Sequence, residues 1–142
     1  MLEQFITSFI ASAGFAILFN APRKALVRCG MVGMLGWILY FLLVELEFDA
    51  VLATLSGAFV VAIVSQFFAR YYKTPIIVFS VAGIIPLVPG GLAYDAMKNI
   101  VINDYNTAIQ LAAKAFMISG AIAMGLVFSE VINQIIRRRT KL

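Results

Sequence analysis

Apolar residues dominate five stretches of the chain, and short polar segments separate them. A helix needs about 20 predominantly apolar residues to cross the hydrocarbon core of a bilayer. The pattern predicts an all-α integral membrane protein in which residues 1–142 form a single polytopic domain. The expected spans are at about residues 3–20, 29–45, 50–69, 75–94 and 109–134. Residues 95–108 are more polar, and we expect a short helix there at the outer membrane interface.

Basic and acidic residues alternate between the predicted loops. The basic residues of the first loop, the third loop and the C-terminal tail are Arg23, Lys24, Arg28, Arg70, Lys73, Arg137, Arg138, Arg139 and Lys141. The acidic residues of the second and fourth loops are Glu45, Glu47, Asp49, Asp95 and Asp104. Because short cytoplasmic loops collect Lys and Arg, five spans predict the N-terminus outside and the C-terminus inside. An even number of spans would put the first loop and the basic tail on opposite sides.

The composition of the chain limits the classes of protein to which it can belong. Hydrophobic residues make up 63% of the chain and charged residues 13%, against about 25% charged in soluble domains. Histidine is absent and Cys29 is the only cysteine, which removes the commonest metal ligand and any internal disulfide. We therefore expect no enzyme, no metal and no cofactor. The net charge of +4 reflects the basic cytoplasmic loops rather than a nucleic-acid surface.

The fourth apolar stretch carries a predicted break at Pro86–Gly91. Proline has no N–H to donate, so Pro86 should free the carbonyl of Ala82, and Pro89 that of Ile85. An unpaired backbone group inside a bilayer is tolerated only where protein or a water-filled cavity surrounds it. Many secondary transporters build their substrate sites from discontinuous helices of this kind. The alternative is a proline kink that only ends the span.

The glycines that follow should open the second half of the break. We expect Gly90 and Gly91 to permit positive φ and close approach to the backbone. A helix that begins there would present free N–H groups from about Gly91 to Tyr94. The helix dipole favours an anion at that end, so a carboxylate could bind without a cationic side chain. Ala82, Ile85, Pro86, Pro89, Gly90, Gly91 and Tyr94 are thus the candidate substrate-binding residues.

Other polar residues are candidates for a transport path or for coupling. They are Glu130, Gln66, Asn20, Arg70 and Lys73. Glu130 shares a helix face with Gln134 and could hold a proton or bind a substrate ammonium, although it could also reach the membrane interface. Arg70 and Lys73 flank the inner mouth of the third and fourth spans and could concentrate organic anions there, although positive-inside charges need no such role.

Small residues at helical spacing predict faces on which helices pack closely, either within this chain or against a partner. The second span offers Gly30, Gly33 and Gly36, and the third offers Ala53 and Gly57. On the fifth span the expected face consists of Ala115, Ser119 and Ala123. Four or five short spans enclose little volume. We therefore expect a transport path to require other subunits.

Several of these features together resemble the threonine/serine exporter family. They are Asn20–Lys24 after the first span, the acidic second loop, and Ile84–Gly91. The similarity is to the C-terminal-half domain of that family, covers essentially the whole chain, and is most specific at Pro86–Gly91. This short form resembles the smaller subunit of the bacterial two-component succinate exporter, whose partner carries the other half.

The resemblance implies a multi-pass protein of the bacterial inner membrane. It would be one subunit of a secondary exporter of small carboxylates, either succinate-like dicarboxylates or threonine and serine. Its partners would be a larger membrane subunit that carries the N-terminal half of the family fold, the lipid bilayer and, as a further option, copies of itself, with no nucleic acid. The chain has no nucleotide-binding loop, which argues against direct ATP drive. The alternative is a non-transporting assembly or regulatory subunit of a larger carrier.

Overall fold

A computed structural model describes residues 1–140, which form a bundle of six α-helices. The helices are α1 (Leu2–Leu18), α2 (Leu26–Glu45), α3 (Ala50–Tyr71), α4 (Ile76–Ile84), α5 (Gly90–Val101) and α6 (Tyr105–Arg139). Short 3₁₀ turns at Arg23–Ala25 and Ile85–Leu87 precede α2 and follow α4. Lys141, the last basic residue of the predicted tail, lies outside the described residues.

Within residues 1–140, three helical segments are long and apolar enough to cross a membrane: Arg23–Glu45, α3 and α6. The segment Ile76–Leu87 and α5 meet the same criteria only together, and a bend of 51° separates them. They therefore form either one broken span or a re-entrant loop. Helix α1 is apolar but has only 17 residues. The predicted all-α membrane fold is confirmed, whereas the count of five spans and the orientation in the membrane stay predictions.

Residues 95–108 do not form the separate helix predicted for them. Residues 95–101 continue α5, and α6 begins at Tyr105 after a tight turn. Asp104 caps α6, because its carboxylate accepts hydrogen bonds from the Thr107 N–H at 3.2 Å and the Thr107 hydroxyl at 2.7 Å. These bonds lower the pKa of the Asp104 carboxyl, since they favour its charged form. The cap extends α6 beyond the start that hydropathy alone predicts.

Contacts between helix ends show that the basic segments gather at one end of the bundle. The contacts are Arg28 with Tyr72, Arg70 with Asn133, and Cys29 with the Val78 carbonyl. Cys29 and Val78 connect the beginning of α2 to the beginning of α4. The other two contacts connect the C-terminal end of α3 to the beginning of α2 and to the last part of α6. We call this the basic end. It holds Arg23, Lys24, Arg28, Arg70, Lys73 and Arg137–Arg139.

Helix α2 lies at the centre of the bundle and packs against α1, α3 and α4. Its glycines make these contacts close. A Cβ atom on Gly33 would collide with the hydroxyl of Ser12, and one on Gly36 would collide with the side chain of Val61. A Cβ atom on Gly57 would lie 2.9 Å from the Gly36 carbonyl oxygen. The small faces predicted on the second and third spans are therefore confirmed.

The small face predicted on the last span, which consists of Ala115, Ser119 and Ala123, is not the face of α6 that packs on α3, and its packing against a partner stays a prediction. Ser119 and Ala123 are exposed, and α6 instead packs on α3 through a face formed by Ala121, Gly125 and Ser129. A Cβ atom on Gly125 would lie 2.7 Å from the Leu55 carbonyl oxygen. The regular spacing of these three small residues, four positions apart, is the signal that could have identified this face.

Helices α1, α2, α3 and α5 end in the same way, with a non-glycine residue in the left-handed conformation. These residues are Asn20 (φ 57°), Glu47 (φ 63°), Lys73 (φ 51°) and Asn103 (φ 64°). The residue after each one donates its N–H back to a carbonyl of the last helical turn, as in the Schellman motif. Asparagine tolerates this conformation well, whereas glutamate and lysine adopt it at a cost.

The predicted orientation can be tested with single cysteines at the two ends of α6. In a Cys29→Ser background, Tyr105→Cys should react with a membrane-impermeant maleimide in intact cells. Thr140→Cys should react only after the membrane is permeabilised, because basic segments favour the cytoplasmic side. The reverse pattern would contradict the orientation, and labelling of both positions from one side would show that α6 does not cross the membrane.

The crossing of α3 and α6 should depend on Gly125. We expect Gly125→Leu to lower the free energy of unfolding by about 1–3 kcal/mol, because the new side chain must push α6 away from the α3 backbone. Gly120→Leu on the same helix is the matched control, since a Cβ atom there meets nothing within 4 Å. Thermal unfolding in detergent measures both. Equal stability of the two variants would contradict the close crossing.

Candidate functional site

The predicted break between α4 and α5 is confirmed. Helix α4 ends at Ile84, the 3₁₀ turn follows, and Val88 is extended before α5 begins at Gly90. Leu87 anchors the break because its side chain is buried and touches Gly57 of α3, where a Cβ atom would lie 3.3 Å from Leu87 Cδ1. The bend of 51° therefore occurs where the chain is held against α3.

The hydrogen bonds at the break differ in part from those predicted. Pro86 removes the helical donor of the Ala82 carbonyl, and Ala82 is buried. The prediction that the Ile85 carbonyl is freed is wrong, because it accepts a hydrogen bond from the Val88 N–H at 3.2 Å. The 3₁₀ turn supplies this donor three residues along the chain, in place of the fourth residue used by an α-helix.

The first turn of α5 offers fewer free N–H groups than expected. Ala93 already donates to the Pro89 carbonyl at 3.1 Å. Tyr94 lies one residue further into the helix, and its side chain is exposed. Helix geometry leaves the N–H groups of Gly91 and Leu92 without helical acceptors. The prediction of free groups from about Gly91 to Tyr94 is therefore too wide, because α5 begins one residue earlier.

Gly90 and Gly91 do not use the positive φ that glycine permits. No glycine within residues 1–140 has a positive φ. A Cβ atom on either residue would meet nothing within 4 Å. The fold of this chain therefore does not require glycine at these two positions, and the backbone there is open to a ligand or to another protein.

A cavity of about 280 Å³ lies beside the break, between the start of α5 and α6. It is lined by Val88, Pro89, Gly90, Ala93, Ala115, Phe116 and Ser119. We call it the break cavity. Pro86 instead lines a second cavity of about 180 Å³, together with residues of α1 and α2 that include Gln4 and Trp37. Of the predicted substrate-binding residues, Pro89 and Gly90 thus line the break cavity and Pro86 lines the second one. Neither of these two cavities is lined by the other four, which are Ala82, Ile85, Gly91 and Tyr94.

A larger cavity, of about 510 Å³, lies at the basic end between α3 and α6. It is lined by Gln66, Ala69, Arg70, Lys73, Ile76, Glu130, Asn133 and Arg137. We call it the basic cavity. Four of the five predicted path residues meet here. The fifth, Asn20, lines a different cavity with residues of α4, and its left-handed φ shows that it serves to end α1.

Amide side chains engage both oxygens of the Glu130 carboxylate in the basic cavity. Gln66 Nε2 lies 3.4 Å from Glu130 Oε2 and 3.2 Å from the Ser129 hydroxyl. Gln134 Nε2 donates to Glu130 Oε1 at 3.2 Å, as their shared helix face predicts. Gln66 therefore links α3 to two successive residues of α6, and it does so next to the closely packed face of α6.

Positive charge dominates the basic cavity. Among the described residues, Arg70, Lys73 and Arg137 line it together with one carboxylate, that of Glu130. The Arg70 guanidinium donates to the Asn133 side-chain oxygen and so links α3 to α6. Sequence reasoning missed Asn133 and treated Arg137 only as part of the tail. Their separation of four positions, within one face of α6, is the signal that could have identified them.

The break cavity and the basic cavity lie along one face of α6. Ser119 lines the first and Arg137 the second, and the 18 positions between them make about five complete helical turns. Along the helix axis, Ser119 and Glu130 are about 16 Å apart at a rise of 1.5 Å per residue. The close crossing at Gly125 lies between them, so the two cavities occupy opposite sides of the point where α6 meets α3.

The family model described as "Threonine/Serine exporter, ThrE" matches residues 4–132. The match includes the break and Glu130. The chain belongs to the threonine/serine exporter family. It is therefore a multi-pass membrane protein of an exporter-type transporter family, as the resemblance implied. No solved structure matches the chain. In the part of this family member that the structure describes, no group of three or more His, Cys, Asp or Glu residues could hold a metal ion.

Replacing both glycines at the start of α5 tests whether the fold needs them. We expect the Gly90→Ala/Gly91→Ala variant to unfold at the same temperature as the wild-type chain or slightly higher, because alanine favours helix by about 0.5–1 kcal/mol. Gly57→Ala is the contrasting variant and should be destabilised, since its Cβ atom would press on the Gly36 carbonyl. Thermal unfolding in detergent compares them. A double variant as unstable as Gly57→Ala would show that the glycines are structural.

Proposed function

We propose that this chain is one subunit of a two-component secondary exporter in the bacterial inner membrane. Its substrates are small carboxylates, either succinate-like dicarboxylates or threonine and serine. The observation that carries the proposal is the alignment of the break cavity and the basic cavity along one face of α6. A charged cavity and a discontinuous helix on one face suit a path for a small anion across the membrane.

The substrate carboxylate enters this path at the basic end. Arg70, Lys73 and Arg137 attract it, and their charges concentrate anions at the mouth of the basic cavity. The carboxylate then reaches the start of α5, where the N–H groups of Gly91 and Leu92 and the positive end of the helix dipole bind it. Open space around Gly91 supports this role, because a ligand can approach the backbone there.

Alternating access requires the crossing at Gly125 to change. In the present conformation α6 lies against the Leu55 carbonyl between the two cavities. Rotation or sliding of α6 on α3 would connect the break cavity to the basic cavity in one conformation and separate the two cavities in the other. The main contact of α5 is with α6, so both helices would move together, with the break as their hinge.

A larger membrane subunit completes the path. Phe116, Ala123, Val127 and Glu130 on or beside the cavity face of α6 are exposed in this chain. A face that carries both cavities and remains uncovered would open the path sideways into lipid. A partner that carries the other half of the family fold would close it, which is why we propose that both subunits are needed for export.

Efflux from preloaded cells tests the proposal. Cells that express the larger subunit are loaded with labelled succinate or labelled threonine, with this chain deleted or restored. We expect efflux of at least one label to fall on deletion and to recover on restoration. Unchanged efflux of both labels would exclude these substrates.

The Gly90→Ala/Gly91→Ala variant separates transport from the alternative role in assembly, which the open, exposed start of α5 also suits. If the break binds substrate, export falls while the two subunits still copurify. If α5 is a docking surface instead, copurification falls, and the complexes that remain export at the normal rate. Gly120→Ala, which also places its Cβ atom in open space, is the matched control.

A further inference from the structure

We infer that Glu130 sets the charge selectivity of the basic cavity, admitting zwitterionic amino acids alongside dianions. This inference rests on the proposed function, because it assigns a role within the same path. Glu130 is the one acidic residue among those that line the cavity, where Arg70, Lys73 and Arg137 supply positive charge. It therefore decides whether a substrate ammonium finds an anionic partner or only cations.

The geometry holds the Glu130 carboxylate in position without using up its capacity to accept hydrogen bonds. Gln66 and Gln134 each place an amide nitrogen within hydrogen-bonding distance of a different carboxylate oxygen. A carboxylate offers about four lone-pair positions, so further acceptor positions remain. Because the side chain is exposed and lines the cavity, these positions are accessible to a substrate ammonium.

The cationic residues are arranged for the other end of the substrate. Arg70 uses one donor on Asn133, and a guanidinium has five donors in all. Lys73 and Arg137 line the same cavity. An α-amino acid can therefore place its carboxylate among these cations while its ammonium faces Glu130.

A dicarboxylate uses the same cavity differently. Among the described residues, three cations and one carboxylate give the lining a formal excess of two positive charges, which matches the two negative charges of a dianion such as succinate. Neutralising Glu130 raises that excess and removes the group that faces the ammonium. The same change should thus disfavour a zwitterion and leave a dianion unharmed.

The test is the ratio of threonine efflux to succinate efflux in cells that express both subunits. We expect Glu130→Gln to lower this ratio about tenfold, the order expected for loss of a hydrogen bond between charged groups. Glu130→Asp keeps the charge and should keep the ratio within about twofold. Glu45→Gln makes the same change in net charge on an exposed residue at the end of α2, and should leave the ratio unchanged.

A second variant changes the ratio in the opposite direction. Arg137→Gln removes a cation from the cavity and should lower succinate efflux more than threonine efflux. Wild-type transport of both labels with an unchanged ratio in Glu130→Gln would overturn the inference alone, and so would a wild-type chain that moves only one of the two labels. A wild-type chain that moves neither label would overturn the proposed function and the inference with it.

Discussion

Close approach of helix backbones at glycine is the constraint on which the rest of the structure depends. Helices within a membrane gain little from excluding water, so they associate through close packing of their surfaces. The glycines of α2 allow α1, α3 and α4 to pack around this helix. Gly57 leaves room on α3 for the side chain of Leu87 at the break. The contact between α3 and Leu87, which follows Pro86, thus fixes the position of the bend between α4 and α5.

The same constraint places the charged groups. Gly125 brings α6 against the backbone of α3, and this contact sets the rotation of α6 about its own axis. With α6 in this rotation, the Glu130 carboxylate lies next to the Gln66 amide. Arg137 lies on the same face of α6, nearer to the C-terminal end of the helix. The chemistry of the basic cavity is therefore a consequence of packing more than one helical turn away.

The sequence predicted the properties that depend on local chemistry. Proline lacks an N–H wherever it occurs, so the break could be placed at Pro86–Gly91, and runs of apolar residues marked the first three helices. The sequence did not reveal that a 3₁₀ turn supplies a donor to the Ile85 carbonyl, or that Asp104 lengthens α6. It identified Glu130 and Gln66 as separate polar residues. Their meeting depends on the register between α3 and α6, which hydropathy does not contain.

At Lys73 the backbone conformation favours one residue type and the charge of the basic cavity requires another. Its φ of 51° closes the end of α3 in a conformation that glycine adopts without strain, while its side chain lines the basic cavity. Selection for heat resistance alone would favour glycine at this position. A chain stabilised in this way for purification would keep its fold and have one cation fewer in the basic cavity, so the more stable protein would no longer carry the cavity charge of the original chain.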